Sequence, residues 1–290
     1  MKQGKEHIDL SAIDHQSKAF FKGGKFQWGK SQSDVWANLE ARIDVQPKGR
    51  SLFIHFNHFK WAFAAGFLVI LTLGSFLRFY SITIEPISGQ HLLSELPDHS
   101  KVNLNAQSSL TYYPYWWKIN RTVKLQGEAY FEVEKGRKFI VESTKGSTQV
   151  LGTTFNILAR QEVYMVTCIT GSVKVKSTMG FETILKPNSK AEIQANGKIK
   201  VETDIETFPE ISWKRNLFLF TASPVHQVFS EIERQYGVTI KININPTLRY
   251  TGNFTKDQNV EEILAYVCPA LGLKYSRLSA GEYLITKENE

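Results

Sequence analysis

The chain of 290 residues carries 35 Lys and Arg against 28 Asp and Glu, with 42% hydrophobic and 22% charged positions. That composition excludes a wholly disordered or fibrous protein and leaves room for one large or two ordinary domains. The net charge of +7 invites a nucleic-acid reading, but residues 1–60 alone supply ten cations against six acids. The remainder is close to neutral and holds no basic stripe with interleaved aromatics, which argues against direct nucleic-acid binding.

In chain order, residues 1–32 are polar and without a clean period. A helix is predicted next, with Ser33 or Asp34 as N-cap and Val35, Trp36, Leu39 and Ile43 on one face, ending before Pro47. A single helix of this length is marginal in water and cannot build a core. Its apolar stripe, with Phe26 and Trp28 upstream, therefore needs a surface to dock on: a membrane, a second copy or a protein partner.

Residues 61–77 read WAFAAGFLVILTLGSFL, without a charge, between Lys60 and Arg78. At 1.5 Å per residue this run is roughly 26 Å long, close to the ~30 Å of a hydrocarbon core. Aromatic residues gather at both ends, as in an interfacial belt. A cleaved leader is disfavoured by the sixty preceding residues, and a buried core helix is rarely apolar all round for so long. Residues 46–60 carry Lys48, Arg50 and Lys60 and no acid, whereas residues 78–92 carry Arg78 and Glu85. The positive-inside rule then places the N-terminus in the cytoplasm and the C-terminal part on the far side of an inner membrane. The predicted divisions are a cytoplasmic segment 1–60, a transmembrane helix 61–80, a β domain 81–207 and an α+β domain 208–290.

From residue 101 to 207 short alternating runs are separated by Gly, Asn or Ser, with turns expected at Gly136, Gly146, Gly171 and Gly197. Phe131, Val133, Phe139 and Val141 face one way. This predicts an all-β sandwich, roll or solenoid-like domain. Further on, a strand over 217–221 precedes a helix with Ser223 as cap and Pro224 at its first position. Val225, Val228, Phe229, Ile232 and Tyr236 share one face of that helix, and Gly237 stops it. After two more strands, Asn259 opens a second helix with Glu262 as a capping box, and Pro269 ends or kinks it. A hairpin closes the chain. The order predicts a small βαββαβ module with helices on one sheet face.

No catalytic or cofactor fingerprint, and no metal-ligand set, is present. His55 and His58 lie beside the membrane without partners. Glu128, Glu132 and Glu134 alternate, as solvated strand faces do. Cys168 and Cys268 stand far apart and read as small buried hydrophobes. One bond stands out. In VLGTTFNIL the Thr153 hydroxyl follows the Gly152 carbonyl, and a strained bond of this kind admits attack by the hydroxyl on that carbonyl. An ordinary glycine turn has the same sequence.

The run GEAYFEVEKGRKFIVESTKGSTQVLGTTFNILARQEVYMVTCITGSVKV, followed by ILKPNSKAEI, resembles the periplasmic domain of the FecR family of membrane anti-sigma factors. The resemblance rests on the spacing of GExxFxV, FxV, LGTxFNI and GSVKV over roughly residues 112–202. The tail from FTASPVHQVF to YLITK is similar to the extra C-terminal domain of Bacteroidetes-type members, a relative of the short N-terminal module of secretins and TonB-dependent transducers. WGKSQSDVWANLEARI resembles the cytoplasmic helix of the same subgroup. LKPNS replaces the Pro-Gly turn of the family, and Pro269 is unusual. The resemblance implies that Phe26, Trp28, Trp36, Leu39 and Ile43 bind an extracytoplasmic-function sigma factor. It also implies that the far-side domains sense the signalling domain of a TonB-dependent outer-membrane transporter serving iron or glycan uptake, with no cofactor. Some members cut themselves at a Gly-Thr bond that Gly152 and Thr153 match. A distinct reading is an envelope assembly protein docking through its secretin-like module.

Overall fold

The structure, a computed structural model, describes residues 29, 31–43, 56–160, 163–244 and 247–288, and forms two compact units, residues 1–64 and 65–290. The first helix, α1 (Gln32–Ile43), begins earlier than the sequence predicts. Ser31 is its cap: the Asp34 N–H donates to Ser31 Oγ at 3.3 Å and the Ser31 N–H donates to Asp34 Oδ2 at 3.3 Å. This reciprocal pair satisfies two otherwise free donors, so Asp34 serves the third helical position and not the cap. The second helix, α2 (Phe56–Phe79), contains an apolar stretch from Phe59 to Phe79, 21 residues of which none is buried. At 1.5 Å per residue that stretch is about 32 Å long, enough to cross a bilayer core without the shortfall of the bare apolar run.

Thirteen strands follow in one continuous hydrogen-bonded system. In chain order they are β1 (Ile82–Ile84), β2 (Leu92–Glu95), β3 (Lys101–Leu104), β4 (Ser109–Tyr112), β5 (Arg121–Glu132), β6 (Phe139–Glu142) and β7 (Gly146–Val150). Then come β8 (Thr154–Arg160), β9 (Val163–Thr170), β10 (Val173–Ser177), β11 (Glu182–Leu185), β12 (Ser189–Ile193) and β13 (Ile199–Glu202). The first half of β5 pairs with β4 and β6, the second half with β3 and β8. It therefore belongs to two sheets, β1-β4-β5-β6-β7-β10-β11 and β2-β3-β5-β8-β9-β12-β13. The pairing is antiparallel except for β5 with β6, which makes the domain a barrel-like roll, not a solenoid of stacked coils.

Gly127 is the corner. Its φ is +99°, and a Cβ there would lie 2.6 Å from the Ser108 backbone, so only glycine lets the strand bend past that loop. The two sheets enclose Leu104, Leu125, Phe131, Phe139, Phe155, Ile157 and Tyr164, all fully buried, with Phe131 stacked on Phe155 at 5.0 Å. Gly146, expected in a turn, opens β7; a Cβ there would meet the Lys176 carbonyl at 2.5 Å, so it permits close strand approach.

A short helix α3 (Phe208–Ile211) leads to β14 (Leu217–Pro224), α4 (Val225–Tyr236), β15 (Thr239–Ile242), β16 (Arg249–Thr255), α5 (Val260–Val267), β17 (Leu273–Ser279) and β18 (Glu282–Lys287). The Asn259–Glu262 capping box forms as predicted, and α5 buries Ile263, Leu264 and Val267. Two details differ. Ser223 does not cap α4; it stays in β14 opposite Tyr250, and Pro224, at ψ 134°, is itself the cap residue. The five strands divide between two small sheets, β14-β16 and β15-β18-β17, instead of forming one. Pro269 follows the end of α5 and opens a separate single turn closed by Gly272, the first of the two outcomes expected for it. Cys168 and Cys268 are free and fully buried, and burial pushes their thiols up to about 11 and about 12, so both are unreactive at neutral pH.

The β-rich part and the α+β part meet across a polar junction. Asn105 Nδ2 donates to Glu128 Oε2 at 2.7 Å and Asn156 Nδ2 to Glu128 Oε1 at 3.0 Å. From α4, Gln235 Nε2 donates to Asn105 Oδ1 and to Glu231 Oε1, both at 2.7 Å, and its Oε1 lies 3.0 Å from His91 Nε2. Glu231 is held by Arg234, while Arg160 donates to the Ala106 carbonyl at 2.7 Å. Lys256 donates to the Gly89 carbonyl. Burial, with the Glu231 carboxylate nearby, pushes Glu128 up to about 7 against the pull of Asn156 and Arg160. Burial, with Lys256, holds His91 below its usual range. Asn156 Oδ1 has no hydrogen-bond partner among the described residues. Turning that amide would let it accept the proton of a neutral Glu128 without reducing the number of hydrogen bonds.

A carboxyl raised on folding stabilises fully below its unfolded value near 4.5 and loses that contribution as pH rises through about 7. His91 acts in the opposite direction, so the diagnostic quantity is a difference. Relative to Glu128→Gln, the wild-type protein loses on the order of 2 kcal/mol between pH 5 and pH 8, allowing for the part of the side chain that stays accessible. Denaturant unfolding of both proteins at the two pH values measures this. An equal gap at both would mean that Glu128 titrates as in water.

Candidate functional site

Three places carry the chemistry that the sequence points to. On α1, Trp36, Leu39 and Ile43 are spaced by three and four residues, which puts them on one face. They are 62%, 46% and 68% exposed, and Val35 beside them is 39% exposed. No residue of the helix is buried, so this stripe is apolar surface that no other described residue covers. Phe26, Trp28 and His55 lie outside the described residues, as does the side chain of His58.

The bond between Gly152 and Thr153 lies where the chain passes from β7 in one sheet to β8 in the other. Both flanking carbonyls are tied down: Gly136 N–H donates to the Leu151 carbonyl at 2.8 Å and Val133 N–H to the Thr153 carbonyl at 3.1 Å. Gly152 has φ +155° and lies so close to Lys135 that a Cβ would come within 2.7 Å of the lysine Cα. Glycine is thus required by a close approach, more than by a turn. Thr153 is buried, and its Oγ1 donates to the Ser172 carbonyl at 3.0 Å. That bond fixes the hydroxyl and leaves its lone pairs available, but a carbonyl is a weak base. Gly171, at φ +80°, closes the far wall: a Cβ there would stand 2.8 Å from Thr153 Oγ1 and 3.2 Å from the Gly152 oxygen. A cavity of about 510 Å3 opens beside the bond, lined by Lys135, Leu151, Ser172, Lys174 and Ile184.

In the α+β part, β16 pairs with β14 alone among the described residues, so its other edge carries no described strand. A groove of about 420 Å3 runs along β16 and α5, lined by Tyr250, Asn253, Phe254, Gln258, Ile263 and Tyr266. Tyr266 is 66% exposed. An unpaired edge beside such a groove has the form that accepts an added strand.

Reading the sequence alone missed the junction. It grouped Glu128 with Glu132 and Glu134 as a solvated face, whereas Glu128 is enclosed between two parts of the molecule. The usable signal was Tyr130. It stands on the same outward face between Glu128 and Glu132, and it is buried within the second hydrophobic cluster with Lys214 Nζ 3.2 Å from its ring centre. An aromatic residue among acids on an outward face implies something that covers it.

Residues 83–174 match the family described as "FecR protein" and residues 217–285 the family described as "FecR, C-terminal". No curated protein matches the sequence. Two crystal structures from Parabacteroides distasonis ATCC 8503, each described as "a putative anti-sigma factor", are similar to the chain. One has a TM-score of 0.65 at 26% identity, covering 72% of this chain and 99% of its own. The other has a TM-score of 0.64 at 26% identity, covering 71% of this chain and 99% of its own. The two matched regions take in more than half of the sequence, and with the structural likeness they place the chain in the FecR family of anti-sigma factors.

Proposed function

We propose that this anti-sigma factor crosses the inner membrane once through α2, with residues 1–60 in the cytoplasm and the β domain 81–207 and α+β domain 208–290 in the periplasm. The observation that carries the reading is the exposed stripe of α1, set ahead of a helix long and apolar enough to span a bilayer. The stripe captures an extracytoplasmic-function sigma factor, Phe26 and Trp28 extending the contact upstream. The charge asymmetry about the apolar run supports the orientation.

On the periplasmic side the partner is the signalling domain of a TonB-dependent outer-membrane transporter, which adds a strand at the free edge of β16. A cut between Gly152 and Thr153 divides the chain within the β domain, leaving α1 and α2 together on one fragment as a first step towards release. For this step Thr153 Oγ1 attacks the Gly152 carbonyl carbon, the bond from that carbon to the Thr153 nitrogen breaks, and the freed amine takes up the hydroxyl proton. Water then opens the resulting ester to leave a Gly152 carboxylate. The anchored carbonyls on either side and the hydrogen bond from Thr153 to Ser172 support this by fixing the attacking atom.

Trp36→Asp with Leu39→Asp places two charges in the stripe. Capture of the sigma factor by the full chain is expected to weaken by at least about thirty-fold, since central apolar anchors each contribute about 2 kcal/mol or more. Undiminished co-purification would remove the stripe from the interface. For the scission, mass spectrometry of wild-type protein is expected to show fragments ending at Gly152 and beginning at Thr153, with Thr153→Ala intact and Thr153→Ser still cut. A wild-type chain found whole would end that part of the reading.

A further inference from the structure

The turn after β4 gathers more aromatic surface than a strand connection needs. Residues 112–117 read YYPYWW. Trp117 is buried and holds the turn to the core, its ring set edge-on to Tyr112 at 5.7 Å and to Phe139 at 5.9 Å. The rest points away: Tyr115 is 57% exposed and Ile119 is 64% exposed. Neither side chain belongs to the core of the β-rich fold.

Their position is set by the end of α2. The Arg78 guanidinium lies over the Trp116 ring at 5.0 Å and over Phe79 at 5.4 Å, and the Tyr80 and Tyr115 rings are 5.4 Å apart. Only Tyr80 and Ser81 separate α2 from β1, which pairs with β4, the strand that feeds the turn. A side chain that touches Arg78 is therefore at the level where the apolar stretch stops. In a chain that spans a membrane, that level is the lipid headgroup layer. Tyr and Trp favour it because their rings are amphipathic, and an apolar Ile beside them gains by entering it. Cations flank the turn. Lys118 is part of it, and Arg137 and Lys138 precede β6, whose first residue pairs with Arg121 just beyond Ile119. All three are exposed, with Arg137 fixed by its carbonyl, which accepts from Arg121 Nη1 at 2.6 Å. Cations at this depth match the phosphates of anionic lipid.

We infer that the turn over residues 113–119, with Lys118, Arg137 and Lys138, docks on the phospholipid headgroup layer of the membrane that α2 spans. The β-rich part then rests on the bilayer instead of swinging above it. This inference depends on the membrane-spanning reading of α2, and the test separates the two.

The full chain is reconstituted in vesicles of phosphatidylethanolamine and phosphatidylglycerol with an environment-sensitive fluorophore on a single introduced cysteine. Labelled variants are Ile119→Cys, Tyr115→Cys, Leu71→Cys within α2, and Met179→Cys on the exposed loop before β11. The native thiols Cys168 and Cys268 are fully buried, so the unsubstituted chain serves as the labelling blank. Expected is quenching at residues 115 and 119 by headgroup-labelled nitroxide lipid, at residue 71 by chain-labelled lipid, and at residue 179 by neither. Lys118→Glu with Lys138→Glu should diminish the signal at residue 119 in these vesicles. Quenching at residue 71 with none at 115 and 119 would overturn the docking while leaving the span intact. No quenching at residue 71 would overturn the span itself, and the docking with it.

Discussion

The fold depends on one strand being able to belong to two sheets. β5 pairs with β4 and β6 over its first half and with β3 and β8 over its second, and the change of partners occurs at a residue whose backbone must pass within van der Waals distance of another chain segment. Any side chain at Gly127 would collide with Ser108. With that corner in place, Phe131 from the second half and Phe139 opposite the first half reach the same interior. The sheets close on each other because their shared member cannot be flat.

The same strand also makes the junction. Beyond Gly127, its inward residues Ala129 and Phe131 fill the first core, while Glu128 and Tyr130 point outward to the α+β part. A polar contact here, where an apolar one would pack as well, leaves a carboxylate facing Glu231, with Arg160 and Arg234 close by. The hydrogen bonds from Gln235 to Asn105 and to His91 form only when the two parts sit this way, so the contact is specific to one arrangement of them. Single charges carried on a strand face thereby become a means of holding two modules in register.

Much of this was legible beforehand, and the failures have a common form. The apolar run of α2, the alternation of Phe131, Val133, Phe139 and Val141, and the Asn259 capping box each depend on neighbours within a few residues. Sequence spacing reports these directly. What spacing could not report was competition between local options. Ser31, Ser33 and Asp34 are all competent caps, and Ser31 prevails because Asp34 answers it from the following turn. Ser223 is a fair cap too, but pairing with Tyr250 keeps it in the strand. Period two tells which residues share a face but not which strands pair, so the division of the α+β strands into two sheets was out of reach. Around the bond between Gly152 and Thr153 the motif was visible, yet the reason for the glycine, the main chain of Lys135, comes from a segment far off in sequence.

A long flexible linker between a helix and a folded domain absorbs small displacements before they pass from one to the other. Here α2 runs into β1 with two residues between them, which extended reach no more than about 7 Å. Slack of that size is taken up within a single turn of helix. Torsion or tension applied to β1 therefore passes to the end of α2 almost undamped.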